Sequence, residues 1–128
     1  MCCRGRRGAL LWWLTDDPQL SRIARSAIAD PANEVLVSAA SAWEIATKHR
    51  LGTLPMGGEV LSRLDELIVA DGFSHLPIHQ GHAIRAGGYP LQHRDPFDRM
   101  LAAQSELEGV PLVTLDPAFE NFPIQVLW

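Results

Sequence analysis

Short strand-like runs alternate with helical segments from residue 34 onward, and this alternation constrains the fold more than any other feature of the sequence. The predicted strands cover residues 34–38, 73–78, 110–115 and 124–127. Between them, apolar residues recur at helical spacing. Such alternation is typical of an α/β domain with a mainly parallel sheet flanked by helices. A length of 128 residues suits one domain, 1–128, with its own core.

The helix predicted to begin at Pro96 has an acidic start. Asp95 is a good N-cap, because its carboxylate can accept the free backbone N–H groups of the first turn. Pro96 suits the first helical position, and Asp98 falls in the first turn, where the helix dipole favours a carboxylate. Both acids could therefore serve only as caps.

Other helix starts follow the same local rules. Asp17-Pro18 predicts a helix to about residue 29, and Ser41 with Glu44 matches the capping-box pattern for a helix over 41–50. Further helices are predicted over 9–14, 59–70 and 79–86.

Acidic residues come at related places in this predicted sheet. Glu44 follows strand 34–38, Asp116 follows strand 110–115, and Asp95 and Asp98 lie at a helix start just before that strand. Right-handed crossovers allow all four to face one edge. Clustered carboxylates repel each other unless a cation holds them, and oxygen ligands favour Mg²⁺ or Mn²⁺ over Zn²⁺. The pattern therefore indicates metal-assisted phosphodiester hydrolysis.

Composition excludes some classes of protein. No apolar run approaches the roughly 20 residues of a membrane span, and the adjacent Cys2 and Cys3 offer no disulfide framework. We therefore expect a cytoplasmic protein without a membrane partner. The net charge of -4 gives no general attraction to nucleic acid. Residues 1–8, with three arginines and two glycines, show no strand or helix pattern, and we expect disorder there.

Over residues 9–128 the chain resembles PIN-domain ribonucleases, and most closely the toxin half of VapBC-type toxin–antitoxin pairs. The motifs that carry the resemblance are Ala9-Leu-Leu-Trp-Trp-Leu14, Val37-Ser-Ala-Ala-Ser-Ala-Trp-Glu-Ile-Ala46, Leu51-Gly-Thr-Leu54, Leu76-Pro-Ile78, His82-Ala83, His93-Arg-Asp-Pro-Phe-Asp-Arg-Met-Leu101 and Pro111-Leu-Val-Thr114 with Asp116. The resemblance implies a three-layer PIN-like fold and Mg²⁺- or Mn²⁺-dependent endoribonuclease activity. It also implies an RNA substrate, a cognate antitoxin and a homodimer.

The resemblance assigns roles to particular residues. Glu44, Asp98 and Asp116 would be the catalytic and metal-binding acids. Asp95 would lie behind those ligands or act only as a cap, and Thr114 would hold the loop or position a water. Arg94 and Arg99 could meet RNA phosphates.

The N-terminus departs from the family pattern. Arg6 stands where the family has the first metal-binding aspartate, and the first strand is expected to be missing or malformed. We therefore expect an impaired nuclease. One alternative is an inactive PIN-like module that binds an antitoxin or RNA, with Trp12, Trp13 and Trp43 serving partners if they are not core. Another is that a wrong start codon or a frameshift produced residues 1–8.

Overall fold

The computed structural model describes residues 2–3, 8–53 and 57–128 of the chain. The helices are α1 (Ala9–Leu14), α2 (Arg22–Ala29), α3 (Ala39–Arg50), α4 (Gly57–Ser62), α5 (Leu64–Ala70), α6 (Gln80–Gly88) and α7 (Pro96–Glu108), with a 3-10 helix at Pro117–Asn121. The strands are β1 (Cys2–Cys3), β2 (Leu36–Ser38), β3 (Ser74–Leu76), β4 (Leu112–Val113) and β5 (Val126–Leu127). No helix in these ranges combines the length and hydropathy needed to cross a bilayer.

Within the described ranges, five strands form one sheet in the order β3-β2-β1-β4-β5, and every neighbouring pair is parallel. Side chains alternate between the faces of a strand. Accordingly Val37 and Val113 join a core cluster with α1, α2 and α5, whereas Leu76 and Leu112 join a second cluster with α6 and α7. Helices therefore cover both faces of the sheet, which confirms the predicted α/β class with a parallel central sheet.

The first strand, predicted to be missing or malformed, consists of two residues. Cys2 and Cys3 pair with Leu36 and Val37 on one side and with β4 on the other. At these two residues the structure shows strand pairing where disorder was expected, because parallel pairing uses backbone groups whatever the side chain. Arg6 and the rest of residues 4–7 lie outside the described residues.

Two predicted helix starts are wrong, and in both a nearby serine is the actual cap. Ser38, not Ser41, caps α3 by accepting the N–H of Ala40 at 3.0 Å. Helix α3 therefore begins at Ala39, and Glu44 lies inside it rather than in a capping box. Ser21 likewise caps α2, whereas Asp17 closes only a turn by accepting the N–H of Gln19 at 2.8 Å.

The helix predicted over 59–70 is divided. Helices α4 and α5 are separated at Arg63, whose ψ of 10° departs from helical geometry. Helix α7, in contrast, begins at Pro96 with Asp95 as its cap, as the sequence predicts.

Candidate functional site

Three carboxylates from two helices converge in the structure. One oxygen each from Glu44, Asp95 and Asp98 lies within 4.8 Å of the others. Glu44 is fully buried and Asp98 is 3% exposed. Charged carboxylates this close together in a buried setting are costly without a cation. The donor set of oxygens alone suits a hard divalent cation such as Mg²⁺ or Mn²⁺.

Helix α7 places two of these acids through its own first turn. Oδ1 of Asp95 accepts the N–H groups of Phe97 at 2.9 Å and of Asp98 at 3.3 Å. Asp98 lies in the first turn of α7, at the positive end of the helix dipole, which favours a carboxylate there. Asp95 is thus a cap and also a member of the carboxylate group, whereas the resemblance placed it behind the metal ligands or as a cap only.

A histidine of the loop before α7 contacts this site. Nε2 of His93 lies 3.0 Å from Oδ2 of Asp98. An ionised carboxylate only accepts, so Nε2 donates to Asp98 when Asp98 is charged, as a metal ligand is. The ring of His93 also packs edge-on to Phe122, with centroids 5.5 Å apart, and this contact orients the imidazole toward Asp98.

Arg99, a candidate RNA contact, is engaged with the backbone. Its guanidinium donates to five carbonyl oxygens of the segment from α6 to the start of α7, at 2.7 to 3.4 Å; they belong to Ala86, Gly87, Tyr89, Leu91 and His93. An arginine has five N–H donors, and all five are used here. Arg99 therefore holds the loop that carries His93.

Arg94 lies on the same loop and is exposed. It lines an open cavity of about 580 Å³ together with Leu91, Gln92, His93 and Arg99. A cation at the rim of a depression that includes His93 is placed for contact with a phosphate group.

Asp116 and Thr114 occupy the turn that follows β4. Oγ1 of Thr114 accepts the N–H of Asp116 at 3.1 Å, and Asp116 caps the 3-10 helix by accepting the N–H of Ala118 at 2.9 Å. The carboxyl end of β4 lies at the same edge of the sheet as that of β2. Asp116 is nevertheless not part of the close group formed by Glu44, Asp95 and Asp98.

A buried polar network, which the sequence does not reveal, joins the two helices of the carboxylate group. Oγ of Ser38, the cap of α3, donates to Oε1 of Gln104 on α7. The amide of Gln104 donates to the carbonyl of Pro77 at 3.2 Å and lies 3.5 Å from Nδ1 of His82, whose Nε2 is 2.9 Å from Glu108. The signal that could have found it is a glutamine within the apolar stretch of α7. Because its groups pair with one another, the network fixes α3, and so Glu44, relative to α7.

The three tryptophans predicted to serve partners or the core differ in burial. Trp12 and Trp13 are half-buried against the first core cluster. Trp43 is 54% exposed, and its ring stands edge-on to that of Phe97 with centroids 4.6 Å apart. Trp43 and Phe97 directly precede Glu44 and Asp98 in the chain, so the ring contact joins the same two helices as the carboxylate group.

The family model of the PIN domain matches residues 7–125. This chain belongs to the PIN domain family. The match covers nearly the whole PIN-like fold described above, including α3 and α7.

A curated relative is similar over part of the chain. Ribonuclease VapC16 of Mycobacterium tuberculosis is 40% identical over 68 residues, which are 52% of this chain and 48% of that protein. The aligned segment thus spans about half the length of the relative. The likeness agrees with the resemblance to VapC-type PIN proteins seen in the motifs.

Proposed function

We propose that this PIN domain is a metal-dependent endoribonuclease, the toxin of a toxin–antitoxin pair, which hydrolyses RNA phosphodiester bonds with Mg²⁺ or Mn²⁺. The observation that carries the proposal is the convergence of Glu44, Asp95 and Asp98, two of them buried. Membership of the PIN family and the similarity to a VapC ribonuclease support it.

In this proposal Glu44 and Asp98 are metal ligands, and Asp95 joins them. Asp116 is the third catalytic acid implied by the resemblance. It follows β4, whose carboxyl end lies at the same edge of the sheet as that of β2. A bound divalent ion would supply charge stabilisation at the phosphate and activation of a water.

The surrounding residues orient this site and the substrate. His93 holds one oxygen of Asp98, and Arg99 holds the loop of His93 in place. Thr114 holds the turn of Asp116. Arg94, exposed at the rim of the cavity, contacts an RNA phosphate.

We further propose that the activity of the chain is impaired. By the resemblance, Arg6 stands where the family has a metal-binding aspartate, and a guanidinium there would repel a divalent cation. Hard cations need several oxygen ligands, so losing one weakens binding.

The test is a gain of function. The unaltered protein and the Arg6→Asp variant are incubated with RNA and Mg²⁺ or Mn²⁺. We expect little cleavage by the unaltered chain and increased cleavage by the variant, abolished by EDTA and by adding Asp98→Asn or Glu44→Gln. Asp65→Asn, an exposed acid on α5, is the matched control and should change nothing. Cleavage that survives both site substitutions would show that these acids are not the catalytic ones.

The second candidate is a PIN module that binds an antitoxin or RNA without cleavage, and the observation that favours it is Arg6. Co-expression with a candidate antitoxin, followed by purification, should yield a stable complex under either proposal. Only the nuclease proposal predicts metal-dependent cleavage by Arg6→Asp. We propose that the protein acts in the cytoplasm as a homodimer. Size-exclusion chromatography with light scattering tests the homodimer.

A further inference from the structure

An exposed tryptophan, Trp43, directly precedes Glu44 of the carboxylate group on α3. Trp43 is 54% exposed although indole is among the largest apolar side chains. Its ring is held edge-on, at an interplanar angle of 80°, against Phe97, which is itself buried. The indole is therefore oriented by a fixed partner while much of its surface stays in water.

The position of this ring relates it to the carboxylates. Trp43 lies on α3 next to Glu44, and Phe97 lies on α7 next to Asp98. The ring contact spans the same two helices that bring Glu44 and Asp98 together. A nucleotide whose phosphate lies at the carboxylate group would have a base close to the indole.

The charges of the protein supply little affinity for RNA, so a contact that needs no cation would contribute more. With a net charge of -4, the chain attracts RNA only weakly through long-range electrostatics. Arg99 is occupied by backbone carbonyls, and Arg85 forms an ion pair with Glu106 at 2.6 Å. Base–aromatic stacking is a source of affinity that needs no cation and tolerates any base.

We propose that Trp43 is a stacking platform for an unpaired base of single-stranded RNA, next to the phosphate held at the carboxylate group. This inference rests on the proposed ribonuclease function and assigns the residue that contacts a base beside the site. Double-stranded RNA keeps its bases stacked on each other and offers no free face to the indole.

The experiment measures binding by fluorescence anisotropy. The probe is a fluorescein-labelled oligouridine of about 12 nucleotides, in Mg²⁺ and at times when a gel shows it intact. The variants are Trp43→Ala, Trp43→Phe, which keeps a ring, and Trp43→Leu, which keeps apolar bulk. Ile84→Ala removes an exposed apolar side chain on α6 and is the control. Circular dichroism establishes that each variant is folded.

We expect Trp43→Ala and Trp43→Leu to weaken binding by about 5- to 100-fold. Trp43→Phe should recover most of the affinity, and Ile84→Ala should leave it unchanged. A probe of the same length without bases should bind the unaltered protein and Trp43→Ala equally, because the ring then has nothing to stack on.

Other results overturn the inference. Equal affinity of Trp43→Ala and the unaltered protein for oligouridine would show that the indole does not stack. So would a loss of affinity that persists with the base-free probe. Unchanged RNA affinity with a smaller oligomer on size exclusion would make Trp43 a protein contact instead. If the unaltered protein binds no RNA at all, the proposed function fails as well, whereas in the other cases it stands.

Discussion

His93 and Asp98 form a hydrogen bond of 3.0 Å between Nε2 and Oδ2 at the edge of the carboxylate group. The bond fixes the orientation of a carboxylate that is proposed to hold a metal ion. Hydrogen bonds of this kind orient metal ligands, and losing them commonly lowers metal affinity or activity 10- to 100-fold.

We predict that His93→Ala weakens Mn²⁺ binding by about 10-fold or more, because Asp98 then loses the contact that orients it. Isothermal titration calorimetry measures the affinity directly. His75→Ala, which removes an exposed histidine on β3, should leave it unchanged. Equal Mn²⁺ affinity of His93→Ala and the unaltered protein would show that the hydrogen bond does not orient a ligand.

The two roles of Asp95 can be separated by substitution. Asparagine is as good an N-cap as aspartate, so Asp95→Asn should keep the stability within about 0.5 kcal/mol. It removes a negative charge from the carboxylate group and should weaken Mn²⁺ binding. Asp95→Ala should lose both properties, with a free energy of unfolding lower by about 0.5–2 kcal/mol. Urea unfolding measures the stability of each variant, and isothermal titration calorimetry measures its Mn²⁺ affinity. If Asp95→Asn binds Mn²⁺ as tightly as the unaltered protein, Asp95 is a cap only.

Arg99 should matter for stability more than a typical surface arginine does. Lysine cannot reproduce the planar fork that reaches five carbonyl oxygens. We expect Arg99→Lys to lower the free energy of unfolding by about 1–3 kcal/mol and to speed hydrogen exchange over residues 86–94. The matched variant is Arg94→Lys, on the exposed neighbouring arginine, and it should change neither quantity. Similar exchange in both variants would contradict the role given to Arg99.

The phenol of Tyr89 should lose its proton at a higher pH than an ordinary tyrosine. Burial, followed by the 2.8 Å hydrogen bond to Glu106, raises the pKa of Tyr89 to about 12. Since the folded state disfavours the phenolate, this contribution to stability is complete below the ordinary pKa near 10 and is lost as the pH rises through 12. Tyr89 is the single tyrosine of the chain, so tyrosinate absorbance reports it alone.

The expected midpoint for Tyr89 is about 12 in the native protein and about 10 in urea. Glu106→Gln removes one of the causes and should lower the native midpoint, but not to the urea value, because burial is the larger cause. A native midpoint near 10 would show that the phenol is not held in this buried pair.

Local signals in the sequence predicted several elements well. The start of α7 depends on Asp95 and Pro96 alone, so it could be predicted from a few adjacent residues. The start of α3 could not, because Ser38 and Ser41 are both acceptable caps and packing selects between them. The break between α4 and α5 at Arg63 could not be predicted either, because no glycine or proline lies at that position.

By itself, the sequence determined the α/β alternation, the acidic start of α7 and the presence of Glu44 and Asp98 as candidate ligands. Tertiary structure decided that Asp95 joins them while Asp116 stays outside the close group, that backbone carbonyls surround Arg99, and that Trp43 is exposed. The physical reason is distance along the chain. Caps and strand patterns are decided by neighbours within a few residues, whereas contacts between α3, α7 and the loop of His93 depend on how separate elements pack.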